Sequence, residues 1–341
     1  NTNINAGVEY SFFAGRLSGS LEYFDRKTTN MLFSFPVAPS LGYTSYYANV
    51  GNMKNNGLEF DIAGDIISTK NVNWSVNANI TWLNNKITML DPQKKTTKAY
   101  DAKGNMFEGY QSGSFFIGEG LPLYSWYMRE YAGVDPATGE SLWYKDVKDA
   151  NGERTGERTT TNAYASADYY LSGNGTIAPV YGGFGTSLYA YGFDFSVNFT
   201  YQIGGQQYDS GYAMFMASPA GGSNLGYNYH KDIYNSWTPE NAKSNVPRFQ
   251  YGDTYSAGTS TRFLTNAGYL NVQNINVGYT FPSKWTQKIL INSLRIYFSA
   301  ENVAYWSARQ GFDPRQGYSG GTSASTYSPM RTLSGGITIK F

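Results

Sequence analysis

The stretch from Arg331 to Phe341 alternates in character at every step. Leu333, Gly335, Ile337, Ile339 and Phe341 fall on one face, and Thr332, Ser334, Gly336, Thr338 and Lys340 on the other. A pleated strand produces a period of two, and a helix does not. A soluble edge strand protects itself with charge, proline or a covering loop. A strand in a closed membrane barrel needs none of these, because neighbours pair both of its edges and lipid covers its apolar face. Taken alone, these residues fit a terminal strand of a soluble β-sandwich equally well.

The same pattern recurs along the chain. Ile4, Ala6, Val8, Tyr10 and Phe12 alternate with polar residues, and after a turn at Ala14-Gly15 so do Leu17, Gly19, Leu21 and Tyr23. Leu58 to Ile66 and Trp74 to Trp82 form a second pair joined by 68–71. The alternation over Asn73–Trp82 has no exception. Shorter runs follow at 124–128 and 141–145, separated by Asp135-Pro136-Ala137-Thr138-Gly139, whose residues read as a β-turn rather than a metal loop. Val180 to Ala190 and Phe193 to Ile203 flank a tight turn at Tyr191-Gly192. In Tyr269–Phe281, Leu270 and Val272 are out of phase with Ile275, Val277, Tyr279 and Phe281, which a bulge near Gln273-Asn274 would reconcile. Leu294 to Ala300 and the final stretch complete about eleven strands.

Short turns at 13–15, 68–71, 136–140, 191–192 and 282–288 alternate with long loops at 33–48, 91–113, 147–178, 204–262 and 308–327. Outer-membrane barrels have short periplasmic turns and long outer loops; a sandwich has no reason to gather every long loop at one end. Composition agrees with the barrel. Aromatic residues make up 17% and charged residues only 15%, against about 25% charged in ordinary globular domains. No apolar run reaches the ~18 residues of a spanning helix, and mean hydropathy is −0.45; barrel strands escape such plots because every second residue is polar. A net charge of +1 gives no reason to expect nucleic acid. With no cysteine, disulfides and thiolate metal sites are excluded.

If the final strand ends at the periplasmic side, an odd count of eleven makes the first strand run inward as well, which a complete bacterial barrel does not allow. Eleven is half of the roughly 22 strands of plugged outer-membrane transporters. The chain begins at Asn1 with neither a start Met nor a signal peptide, and reads as a mature product or a piece whose first barrel half lies elsewhere.

An enzyme is not expected. His230 is the single histidine, the carboxylates form no recognisable pair, and no phosphate-binding glycine motif is present. No cofactor is implied, and no metal site. Trp74, Trp82 and Trp126 lie in the apolar phase and read as an interfacial girdle, with sugar stacking as the lesser alternative. The aromatic-rich loop 204–262 supplies candidate contacts for a ligand or a partner: Tyr208, Tyr212, Tyr227, Tyr229, His230, Tyr234, Trp237 and Tyr251. The competing reading is that they only pack the loop.

Several ordered segments carry a resemblance. They are Asn49-Val-Gly-Asn-Met-Lys-Asn-Asn-Gly-Leu-Glu59, Ile80-Thr-Trp-Leu-Asn-Asn-Lys-Ile87, Gly120-Leu-Pro-Leu-Tyr-Ser-Trp126, Gly133-Val-Asp-Pro-Ala-Thr-Gly139, Pro179-Val-Tyr-Gly-Gly183, Gly268 to Pro282 and Gly311-Phe-Asp-Pro314. Their order and spacing resemble the C-terminal part of SusC/RagA-type TonB-dependent transporters of Bacteroidetes outer membranes. Asn302-Val and Leu270-Asn-Val depart from the usual Asn-Leu and Leu-Arg-Leu of that family. The resemblance implies an all-β fold, a transmembrane antiparallel β-barrel, with residues 1–341 forming its C-terminal half and the plug, TonB box and first half upstream. It implies import of a glycan or peptide, a SusD-like lipoprotein partner, energy from a TonB-ExbB-ExbD system, and residence in the outer-membrane bilayer. It also implies that Phe341 is the terminal aromatic read by the barrel-assembly machinery. A passive porin or structural barrel component is the alternative.

Overall fold

The computed structural model describes residues 1–36, 40, 42, 45–49, 51–219, 226–253, 255–317, 321–322 and 327–341. Among these residues one continuous antiparallel sheet carries nine strands in sequence order. They are β1 (Thr2–Phe12), β2 (Leu17–Thr28), β3 (Gly51–Ser68), β4 (Val72–Leu90), β5 (Val180–Ala190), β6 (Phe193–Ile203), β7 (Tyr269–Thr280), β8 (Ser293–Ser307) and β9 (Thr332–Lys340). Each pairs only with its chain neighbours, so the whole sheet is a meander with β1 and β9 at its edges.

Register turns the alternation of single strands into two continuous faces. Val8, Leu21, Phe60, Ile80, Gly182, Tyr201, Leu270 and Trp306 stand opposite one another in one row. A one-residue slip anywhere would throw a strand's apolar set onto the other side. The apolar row is solvent-open, with Val8 69% and Trp306 58% exposed, an arrangement that water does not favour over so wide an area. The opposite face carries Ser75, Ser187, Ser196, Asn276, Ser299 and Ser334 in register. These hydrogen-bond across strands: Ser75 Oγ to Ser187 Oγ at 2.7 Å, Asn276 Nδ2 to Ser196 Oγ at 3.3 Å, and Ser299 Oγ to Asn276 Oδ1 at 2.6 Å.

Close approach explains two glycines on the apolar face. Tyr201 lies across Gly182 and donates to the Asn79 carbonyl on the strand beyond, 3.0 Å away. Tyr10 repeats this over Gly19 to the Asp61 carbonyl at 3.2 Å. A ring laid over a neighbouring glycine covers bare backbone and satisfies its own hydroxyl.

The connections settle the strand count. Short turns occupy 13–16, 69–71, 191–192 and 281–292, and long loops 29–50, 91–179, 204–268 and 308–331. They alternate, so all four long loops leave one end of the sheet. Tyr191 and Gly192 both have positive φ, 50° and 92°, as a two-residue turn matching the strand twist requires. The expected bulge is present: Asn198 faces Asn274 while Phe199 faces Val272, leaving Gln273 out of the ladder.

Two of the eleven expected strands are not barrel strands. Ser125–Arg129 belongs to a five-stranded sheet built with 97–100, 106–112, 115–118 and 169–175. Ser141–Lys148 belongs to a three-stranded sheet with 131–134 and 154–161. The turn at 136–140 therefore sits among the long loops, not at the short-turn end. There Ala137 N–H donates to Asp135 Oδ1 at 2.8 Å and Gly139 N–H to Asp135 O at 2.8 Å. Much of what the polar composition of 91–113 and 147–178 marks as loop is thus strand, exposed on one side and held by cross-strand pairing.

These two sheets form a crown over the β4 end of the barrel wall. Ala99, Phe116, Tyr127 and Leu171 make its core, and Ile117 packs on Ile87 and Leu90 of β4. Asp146, 8% exposed, links the two sheets by accepting from Tyr170 Oη at 2.7 Å and Arg154 Nη2 at 2.5 Å. Arg154 also stacks 3.8 Å over Tyr100. No helix among the described residues is long and apolar enough to cross a membrane, which leaves crossing by strands untouched.

Candidate functional site

The eight aromatic and histidine candidates of 204–262 do not converge on one surface. Tyr208 and Tyr212 pack with Ala213, Met216 and Phe263 in a closed cluster. Asp209, only 4% exposed, caps the short helix Ser210–Phe215 by accepting from Tyr212 N–H at 2.9 Å, and it also accepts from Arg309 Nη2. The Arg309 guanidinium lies 4.0 Å over the Tyr212 ring, so one cation serves a carboxylate and an aromatic face at once. His230 stands edge-on to Tyr212 at 4.9 Å. Its Nδ1 accepts from the Asp232 N–H at 3.2 Å, capping the turn Lys231–Asn235, and its Nε2 lies 3.4 Å from Arg309 Nη1. Both ring nitrogens are engaged, so the imidazole works as a brace. Burial, and then the hydrogen bond its hydroxyl gives Asp232 at 2.8 Å, push the Tyr212 phenol up to about 12.

The others divide by exposure. Tyr229 packs edge-on against Phe249 at 4.9 Å. Trp237 donates from Nε1 to the Pro136 carbonyl at 3.2 Å and so clamps the 135–139 turn. Tyr227, Tyr234 and Tyr251 are 63%, 90% and 62% exposed and remain open to a ligand or partner. Sequence reasoning passed over the ions that organise this region, Asp209, Asp232 and Arg309. Charges spaced across two distant loops leave no local signal.

Trp74 and Trp82 stand on the apolar face of β4, 38% and 45% exposed. Trp126 does not join them. It is 3% exposed within the five-stranded sheet, packs tilted at 36° against Phe115 with centroids 4.5 Å apart, and donates from Nε1 to the Gln206 carbonyl at 2.9 Å. Its neighbours Tyr127 and Met128 are buried too, so this strand is covered on both faces and its apolar phase has no bearing on lipid. Phe341 is 86% exposed at the short-turn end of the sheet.

On the polar face, Asn77, Asn79, Asn198, Thr200 and Asn274 line an open cleft of about 520 Å³ between β4 and β7. Asn198 Nδ2 donates to Asn274 Oδ1 at 3.0 Å, and Asn79 Oδ1 accepts from Gly183 N–H at 2.9 Å. Such a surface offers donors and acceptors with little net field.

A meander of long amphipathic strands, apolar on one side and amide- and hydroxyl-lined on the other, with every long loop at one end, defines the wall of a transmembrane-type β-barrel. The chain belongs to the TonB-dependent receptor-like β-barrel family, which matches residues 1–176. It is similar to TonB-dependent receptor P3 of Formosa agariphila, 26% identical over 99% of this chain and 34% of that protein. It is also similar to TonB-dependent receptor SusC of Bacteroides thetaiotaomicron, 26% identical over 100% of this chain and 32% of that protein. Among solved structures, the RagAB peptide transporter superposes with a TM-score of 0.82 at 27% identity, over 99% of this chain and 35% of that one. The chain spans about a third of the length of these relatives.

Proposed function

We propose that residues 1–341 form the C-terminal part of the barrel of an outer-membrane TonB-dependent importer. Its cargo is a large nutrient, an oligosaccharide or a peptide. The observation that carries this reading is the pairing of a nine-stranded two-faced sheet with likeness to SusC and to the RagAB peptide transporter over nearly the whole chain. In this reading the plug, the TonB box and the rest of the barrel lie upstream, and β1 and β9 pair with strands from that part. The apolar face meets lipid, and Trp74 and Trp82 sit at the two interfaces. A SusD-like lipoprotein covers the crown, where Tyr227, Tyr234 and Tyr251 are available to it or to the cargo. The TonB-ExbB-ExbD system supplies energy through the upstream part.

The test is uptake of candidate glycans and peptides by cells lacking the gene, and by cells with the gene but without TonB. Import predicts loss of one nutrient in both strains. Uptake that needs the gene but persists without TonB would instead identify a passive porin. The partner is tested by gentle detergent extraction, in which a surface lipoprotein should co-purify; a complete barrel isolated without one counts against the pairing.

A further inference from the structure

The apolar face carries a groove of about 340 Å³ at the short-turn end of the sheet, lined by Phe193, Val277, Tyr279, Phe281, Ile296 and Phe298. Register sets Phe193, Tyr279 and Ile296 side by side in one row and Val277 beside Phe298 in the next. The second row continues through Phe195 and Leu188 to Trp74, which fixes the groove on the side proposed to meet lipid. Phe193, Ile296 and Phe298 are exposed, and Tyr279 meets Phe281 edge-on at 5.1 Å. No charged side chain lines the groove.

The connection 281–292 borders this groove, because Phe281 lines it and opens the turn, and the turn runs back into β8 just before Ile296. It is the longest of the short connections and holds a helical segment, Ser283–Thr286 continuing as Gln287–Ile289. Its sequence contains two lysines and no carboxylate. Lys284 and Lys288 are exposed, and neither makes an ion pair among the described residues. Asp194, at the same end of the sheet, is taken up by Arg295 through two bonds of 3.1 and 2.6 Å. Trp285, Ile289 and Leu290 are 61%, 64% and 88% exposed. Leu290 sits at φ 62°, a left-handed conformation that glycine adopts with least strain. A turn built only for water has no use for a leucine there. The lysines are four residues apart, as are Trp285 and Ile289, so the segment separates a cationic from an apolar side.

From the groove and the turn together we propose that this end of the barrel holds one anionic phospholipid of the periplasmic leaflet. An acyl chain lies in the groove, and the phosphate meets Lys284 and Lys288. Trp285, Ile289 and Leu290 enter the leaflet beside it. The occupant follows from two features at one place: an apolar lining on the lipid side and uncompensated positive charge at its border. A peptide bound from the periplasm would account for the lysines and leave the groove empty. The inference rests on the barrel reading for its place in the leaflet and goes beyond it, since import by itself asks for no particular lipid.

The test is native mass spectrometry of the intact receptor in mild detergent, titrated with dioleoylphosphatidylglycerol, which is anionic, and with dioleoylphosphatidylcholine, which is zwitterionic. The anionic lipid should bind roughly 10-fold more tightly. Lys284→Gln and Lys288→Gln together should weaken it roughly 30-fold, the worth of two lysines at an anionic surface, and leave the zwitterionic lipid unchanged. Lys70→Gln, in the 69–71 turn at the same end, should change neither. Val277→Trp fills the groove from the lipid side and should weaken both lipids; Ile296→Trp stands in if that variant fails to assemble. The proposal is overturned if the two lipids bind the parent alike, if the lysine variant keeps its affinity for the anionic lipid, if Lys70→Gln costs as much, or if a filled groove binds as before. If the lipid arms fail while uptake still needs the gene and TonB, the lipid site falls and import stands; if uptake persists without the gene, the import reading falls by itself.

Discussion

Placing an arginine at Ala78 and at its neighbour Asn77 asks the two faces of the barrel wall to declare themselves. Ala78 lies midway between Trp74 and Trp82 on β4, with Ile62 and Phe184 beside it in register. The two tryptophans are eight residues apart, about 26 Å along the strand at ~3.3 Å per residue. At a strand tilt of about 40° this is roughly 20 Å along the membrane normal, inside the ~25 Å apolar band of such barrels. Ala78 is then at the midplane, where an outward arginine costs about 2–4 kcal/mol, a 30- to 700-fold loss in the folding equilibrium at about 1.4 kcal/mol per tenfold. Asn77 is exposed on the opposite face beside the open cleft. An arginine there reaches water and should cost under about 0.5 kcal/mol. Urea titration of the intact receptor folded into vesicles, followed by heat-modifiability on gels, reads both values. Ala78→Leu controls for added bulk and should be harmless. Equal penalties for the two arginines, or a larger one at Asn77, would refute the assignment of faces.

Gly182→Val should destabilise the barrel by roughly 1–3 kcal/mol, because a Cβ there would come within 2.2 Å of the Asn79 carbonyl; the same urea titration measures it, and a neutral result would show that β4 and β5 can part freely. Burial alone would raise the Asp313 carboxyl, but the bidentate Arg315 guanidinium at 2.8 and 2.7 Å and the Arg315 N–H outweigh it and hold the group below the usual carboxylate range. A carboxyl lowered on folding contributes stability above its unfolded pKa and loses it as pH falls through the folded one. Protection factors across 312–316, exchange rates taken relative to the intrinsic rate at each pH, should therefore fall in acid, and Asp313→Asn should flatten that dependence; an unchanged profile would remove Asp313 as its source. Deleting Phe341 should cut the amount of receptor assembled in the membrane far more than it alters cargo preference, as immunoblots of membrane fractions and uptake per receptor would show; normal assembly would end the assembly-signal reading.

Alternation, turn chemistry and loop length were enough to place all nine barrel strands, the Tyr191-Gly192 turn and the bulge at Gln273. Each rests on local physics: a strand with one face in lipid and one in a polar lumen must alternate residue by residue, and an out-of-phase pair must be absorbed by an unpaired residue. The same reasoning misplaced Trp126 and the strands at 125–129 and 141–148, because a short apolar alternation does not say what covers it. Only the tertiary structure shows those strands pairing with 115–118 and 169–175 in one sheet and with 131–134 and 154–161 in the other, short segments too brief to show a period in the sequence. It alone brings Asp209 to Arg309 and Trp237 to the Pro136 carbonyl. These partners meet because loops separated along the chain rise from one end of the sheet, and chain separation carries no trace of that meeting in the residues between them.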